Sequence, residues 1–298
     1  MIKNFYTSFW LICLLSLSAC EQLGMSGSTP ETAKLSEEQI KARIELQQEL
    51  AGFQGLLDRI QQQIDQDVKR RSELRQVNRK NRIDTPVKLG NKTPLGSDRA
   101  TVAVVEFTDY QCPFCGSHVS RTMPQVKRDY IDSGKIRYYV RDFPLPIHDQ
   151  AKYAAVIALC ASNQGRFWAM HDQLFANQKR LNPRLYLDLA HDIGLDPTKL
   201  SDCLTGTDAI AGVDSDNLYG KSIGVNSTPE FFVGRIEGDK IIDVMTMKGE
   251  MPYSRFASAI DNIVELDAAD KSIKSSQLRK IELGRSISRL EEELSRFN

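Results

Sequence analysis

Cys112 and Cys115 bracket Pro113 and Phe114, directly after the β-branched, apolar run Thr101-Val102-Ala103-Val104-Val105-Glu106-Phe107. Such a run reads as a buried strand, so the Cys-x-x-Cys falls where a strand ends and a helix opens. A helix N-terminus presents unpaired amides and a positive dipole end, which stabilise a thiolate on the first Cys. Pro113 suits the first turn, where its missing N–H has no partner to lose. Cys115, one turn on, is then placed to attack a mixed disulfide on Cys112. Phe114 between them adds an apolar side chain with no charge and no conventional donor. The rival chemistry for a Cys-x-x-Cys is half of a zinc site, but no second pair and no nearby His pair completes four ligands, so no metal is expected. His118, three residues past Cys115, reads as a surface residue, His171 as a structural hydrogen-bonder, and His148 and His191 carry no signal.

These residues sit in a 298-residue chain with 39 basic and 39 acidic side chains, 41% hydrophobic and 26% charged. That composition excludes disorder as the main state and a polycationic nucleic-acid binder. The chain is long enough to bury a core without disulfides to compensate for small size, so its six cysteines need another reason. The N-terminus supplies one. Lys3, the apolar run Phe9 to Leu15 and then Leu17-Ser18-Ala19-Cys20 have the basic start, short apolar stretch and small-residue cleavage region of a secretory signal over 1–19. Leu-Ser-Ala-Cys resembles the bacterial lipobox, which implies that Cys20 is the lipidated first residue and holds the protein on a membrane. Glu21 rather than Asp after the Cys favours the outer membrane by the enterobacterial sorting rule. A Ser/Gly/Thr-rich tether follows over 20–35.

Leu46, Leu50, Phe53, Leu57, Ile60 and Ile64 are spaced 4-3-4-3-4 among polar residues, the seam of a coiled-coil-like helix over 36–83. Ser36 and Gln39 stand at its capping-box positions. A weaker seam, Leu283, Ile287, Leu290, Leu294 and Phe297, marks a C-terminal helix over 270–298, with Gly284 its one poor helix former. The two helices either pair within one chain or zip to a second subunit, the C-terminal one alternatively docking on its own globular domain, and the longer stem predicts a homo-oligomer.

The middle of the chain resembles the DsbA-like thioredoxin-fold oxidoreductases, in the branch with the pattern V-E-F-x-D-x-x-C-P-x-C. Tyr139 to Leu145, Gln164 to Phe175 and Gly224 to Phe232 continue the match in the family's order. The resemblance implies an α/β thioredoxin fold over 86–267 with a helical insertion at about 149–223. It implies a disulfide-exchanging enzyme that needs no cofactor, acting as oxidase or isomerase on unfolded or misoxidised exported proteins, with a membrane redox partner to reset the dithiol. Pro229 matches the family's cis-proline facing the dithiol. Thr228 supplies the backbone and hydroxyl beside the reactive sulfur, and Glu106 matches the buried acid that accepts a proton from Cys115. Cys13 leaves with the signal and Cys20 takes lipid, so Cys160 and Cys203 remain, both in the insertion; in an exported protein a leftover pair is expected to bond, two buried free thiols being the alternative. The rival to an enzyme is a non-catalytic envelope protein that binds through stem and thioredoxin fold.

Overall fold

A computed structural model describes residues 35–77 and 79–297; the signal segment, Cys20 and nearly all of the tether lie outside them. Helix α1 (Glu37–Gln76) starts as its sequence dictates: Ser36 Oγ accepts from Gln39 N–H, and Gln39 Oε1 accepts from Ser36 N–H. It stops at Gln76 rather than continuing to Arg82, because the chain turns there to enter the sheet. β1 (Arg82–Ile83) and β2 (Val87–Lys88) both pair antiparallel with β6 (Lys240–Lys248).

The sheet runs β1-β6-β5-β3-β4. Its centre is β3 (Val102–Thr108), buried at every position, parallel to β4 (Ile136–Asp142) and antiparallel to β5 (Glu230–Glu237). Because strand side chains alternate, β3 serves two cores. Ala103, Val105 and Phe107 join Tyr139, Phe143 and Phe232 on one face. Val102 and Val104 join Tyr138, Val140 and Phe231 on the other, and Glu106 shares that second face by the same alternation. At the end of β3 the chain opens into α2 (Pro113–Ser117), a π-helical turn at His118–Thr122, α3 (Met123–Val126) and a second π-helical turn at Lys127–Ile131.

Helices α4 (Ala151–Ser162), α5 (Phe167–Ala176), α6 (Pro183–Asp192), α7 (Pro197–Thr205) and α8 (Asp208–Ser222) separate β4 from β5. Gly220 lets α8 lie against the sheet, since a Cβ there would stand 2.7 Å from Phe143 and 2.9 Å from Phe107. A buried ion cluster ties the same helix to β4: Lys92 Nζ lies 2.7 Å from Asp142 and 3.0 Å from Asp216, and Arg141 lies 2.7 Å from Asp216. Cys160 and Cys203 form a disulfide between α4 and α7 at a sequence separation of 43. A crosslink closing a loop of that size stabilises by about 3 to 4 kcal/mol through the unfolded chain. Replacing both residues with Ala should therefore lower the urea midpoint markedly while leaving the Cys112 thiol titratable. An unchanged midpoint would show that the insertion holds itself.

The last helix corrects an expectation. It is not a separate segment from 270: α9 (Tyr253–Ser295) runs unbroken from the sheet outward. Its first half packs on the domain through Phe256, Ile260, Ile263 and Leu266, and its second half pairs antiparallel with α1. Arg71 meets Asp270 at 3.2 Å, Asp67 accepts from Ser272 at 2.6 Å, and Lys280 donates to Gln61 at 2.5 Å, so the partners step in opposite directions along the two helices. Continued at this register, Phe53 faces Ile287 and Leu50 faces Leu290, which are both buried. The seam that suggested a second subunit is half-buried against the chain's own C-terminus, with only Ile64 of its six residues fully buried. Among the described residues no helix is long and apolar enough to cross a membrane.

Candidate active site

Cys112 is the N-cap of α2 and Pro113 its first residue. The turn that delivers the Cys is built by Asp109, three residues upstream. One carboxylate oxygen accepts from the N–H groups of Gln111 (2.8 Å) and Cys112 (3.1 Å). The other accepts from Leu145 N–H (2.7 Å) and lies 2.8 Å from His148 Nδ1. Gln178 clamps the other side, donating to the carbonyls of Tyr110 (2.9 Å) and Cys112 (2.8 Å). Gly116 leaves it room, since a Cβ there would sit 2.4 Å from the Gln178 amide oxygen.

Both active-site cysteines are free thiols and nearly inaccessible, 3% for Cys112 and 0% for Cys115. Across the site the Thr228–Pro229 peptide is cis, and the Cys112 thiol donates to Thr228 O at 3.3 Å. The two sulfurs differ sharply in acidity. A hydrogen bond from the Cys115 thiol, helped by the Thr228 side chain and the amides of Cys115 and Phe114, pulls Cys112 down to about 6 against the penalty of burial. Burial pushes Cys115 well above the ordinary thiol range, reinforced by its hydrogen bond to Cys112 and the charge of Glu106. The surroundings favour the anion on Cys112 and the protonated thiol on Cys115, the division of labour that attack and resolution require.

Glu106 is 1% exposed, on the core face of β3. One of its oxygens accepts from the Tyr138 hydroxyl at 2.8 Å, and the other has no hydrogen-bond partner among the described residues. Phe114 is the reverse case, 59% exposed at the rim. The structure thus brings Cys112, Cys115, Glu106, Phe114, Thr228 and Pro229 to one end of the central strands; the Cys160–Cys203 disulfide lies in the insertion, and Cys20 is outside the described residues.

His118 is not on the surface as its place in the helix suggested. It is fully buried, with its ring 4.5 Å from Phe231 and 5.3 Å from Phe256 and its Nε2 3.0 Å from the Tyr138 hydroxyl. The reason is helical phase: residues three apart share a face, and Cys115 occupies the inward one. Asp109, His148, Gln178 and Tyr138 were not singled out from sequence. Only Asp109 carried a local signal, as an acid three residues ahead of a helix-capping position. No group of His, Cys, Asp or Glu among the described residues could hold a metal ion.

Comparison with known proteins agrees with this geometry. Residues 88–262, more than half of the chain, match the family described as Thioredoxin. A Rickettsia conorii protein named as a protein-disulfide oxidoreductase is 30% identical over 164 residues, covering 52% of this chain and 58% of that one. The Na(+)/H(+) antiporter NhaA 3 of Salinispora tropica is 35% identical over 167 residues, covering 55% of this chain but 24% of the antiporter. The chain thus spans from about a quarter to somewhat over half the length of these relatives. Among solved structures, Wolbachia pipientis α-DsbA1 superposes with a TM-score of 0.54 at 22% identity, covering 63% of this chain and 96% of that one. With the family matched across the central strands, the dithiol helix and the insertion, the chain belongs to the thioredoxin family.

Proposed function

We propose that this protein is a thiol–disulfide oxidoreductase that exchanges disulfides with exported proteins in the bacterial cell envelope. The observation that carries the reading is the free Cys112–Cys115 pair at a helix N-terminus, with Cys112 3.3 Å from Thr228 O; the lowering of Cys112 and raising of Cys115 agree with it. In the reductive direction the Cys112 thiolate attacks a client disulfide, and one client sulfur leaves with the electron pair. Cys115 then gives its proton to Glu106 and attacks Cys112, and the client's second sulfur leaves. The client gains two electrons and the dithiol becomes a disulfide, which a membrane redox partner resets. Run in reverse, the same steps oxidise a client. The Thr228 backbone, within hydrogen-bond distance of Cys112, pairs with an extended client segment, and Phe114 offers it an apolar contact.

A Cys112 value of about 6 falls between those of thioredoxin (about 7) and DsbA (about 3.5). A lower thiolate pKa stabilises the reduced form and makes a stronger oxidant, so a measured potential decides between isomerisation and driving oxidation outright. Equilibration with glutathione should place it between about −270 and −120 mV. Over the same samples, iodoacetamide labelling of the reduced protein should rise through a midpoint near pH 6, because the thiolate forms above its lowered pKa and is lost below it. A midpoint above pH 8 would count against the reading, and a potential at either extreme would reassign the protein as reductase or oxidase. Lipidation of Cys20 would hold it at the membrane, with the tether and the α1–α9 hairpin between anchor and dithiol. The hairpin also favours a second reading, a non-catalytic binding protein, which absence of insulin reduction despite a reactive Cys112 would select.

A further inference from the structure

The thiol exchange proposed above needs a route for a proton. Cys115 is fully buried, and each resolution step removes its proton inside the protein. Glu106 receives it, yet Glu106 is itself buried and must lose the proton before the next cycle. In this chain the carboxylate is not isolated. Tyr138 and Glu106 lie on the same face of neighbouring strands, with Val104 opposite Tyr138 in the register, so the two are diagonal neighbours. The Tyr138 hydroxyl is 2.8 Å from Glu106 Oε2 and 3.0 Å from His118 Nε2. The other ring nitrogen of His118 has no hydrogen-bond partner among the described residues. The charge of Glu250 acts on that imidazole, and Glu250 itself accepts from the Ser117 hydroxyl at the half-buried edge of the domain.

We infer that Glu106, Tyr138 and His118 form a proton relay that takes up the proton of the buried resolving thiol from Glu106. The transfer balances without a co-reactant. The Cys115 proton passes to Glu106; protonated Glu106 donates to the Tyr138 oxygen as the Tyr138 hydroxyl proton moves to His118 Nε2, and the imidazole holds it as the cation beside the restored Glu106 carboxylate. When Cys115 leaves as a thiolate in the opposite direction, the same chain returns a proton to it. A hydroxyl between a carboxylate and an imidazole can donate to either, and burial keeps His118 neutral and thus able to accept. Tyr138 and His118 are positioning residues, because they act on the sulfur only through Glu106.

The ionisable groups facing this chain come from every element around it. They are Glu106 from β3, Tyr138 from β4, Cys112 and Cys115 from α2, Tyr110 from the turn before it, His171 from α5 and Glu250 from the turn before α9. A pH profile of overall activity would mix them, so the test isolates one step. The full-length protein is loaded with glutathione on Cys112, and release of glutathione by Cys115 is followed by stopped flow from pH 5 to 10. Tyr138→Phe keeps the ring and removes the hydroxyl; His118→Gln keeps a polar side chain but removes the second ring nitrogen. General acid–base assistance contributes 10²–10⁴-fold, and with Glu106 still in place the expected loss is its lower part, about tenfold slower release at pH 7 in either variant. The deficit should close towards pH 10, where hydroxide removes the thiol proton, and the alkylation midpoint of Cys112 should stay where the parent has it. Release at the parent rate in both variants, or a slowing of equal size at every pH, overturns the relay. A parent protein that reduces no insulin and releases no glutathione would instead overturn the exchange activity on which the relay rests, so the two failures are told apart.

Discussion

Cys115→Ser should accumulate a disulfide-linked complex with client protein, and Cys112→Ser should accumulate none. The two sulfurs are one helical turn apart, yet their surroundings divide the labour. Cys112 caps the helix, where amides and the Cys115 thiol stabilise its anion. Cys115 is sealed beneath it with Glu106 nearby, which disfavours a second negative charge. Removing Cys115 leaves attack possible and resolution impossible, so the covalent intermediate persists. Removing Cys112 deletes the nucleophile, and turnover should fall to background. Cys115→Ser keeps a hydroxyl that can donate to Cys112, whereas Cys115→Ala removes the bond that is the largest influence holding the Cys112 pKa down. Cys115→Ala should therefore trap the client as well and alkylate with a midpoint above that of both the parent and Cys115→Ser. Trapping on Cys112→Ser but not on Cys115→Ser, seen on a non-reducing gel, would reverse the assignment.

How much of this arrangement could be read from the chain depends on the distance over which each feature is encoded. The strand before the dithiol, the Cys-Pro-Phe-Cys helix start and the Thr-Pro ahead of β5 are written in consecutive residues, and the family pattern supplied their juxtaposition. The groups that hold the site in place are not local. His148 reaches Asp109 from 39 residues away, and Gln178 clamps Cys112 from 66. Each makes a polar contact that any His or Gln could make, so nothing in its neighbours marks it. Tyr138 reads as one more apolar position in β4 because only its hydroxyl meets Glu106. His118 is polar by type, and its burial shows only in its helical phase, since it shares the face of Cys115. The terminal helices failed differently: the phase of the α1 seam was plain, but a seam states that it needs cover and not whose. Its partner stripe on α9 passes through Ser276 and Lys280 before reaching Ile287, and this polar stretch concealed that one continuous helix both packs on the domain and pairs with α1.

That pairing changes what solution size to expect. Trimmed to begin at Leu35, the chain should be a monomer at micromolar concentration by light scattering, because α9 occupies the seam a second subunit would need. Deleting residues 277–298 should make it self-associate. The deletion uncovers Leu46, Leu50, Phe53, Leu57 and Ile60, which are all half-buried in the intact hairpin. Full burial of such a side chain is worth about 1.5 to 3 kcal/mol; at half that value the five stripped positions cost on the order of 4 to 7 kcal/mol per chain. Two truncated chains that zip their seams together regain this twice over. That gross gain of about 8 to 14 kcal/mol overlaps the roughly 8 kcal/mol of a micromolar complex plus the cost of association, about 4 kcal/mol or more, so association is expected towards the upper micromolar range. Leu50→Asp and Leu57→Asp in the truncated chain should return it to a monomer by making the seam unfit for a second copy. If the intact chain is already a dimer, and stays one after the deletion, the hairpin does not satisfy the seam and an intermolecular stem becomes the correct account.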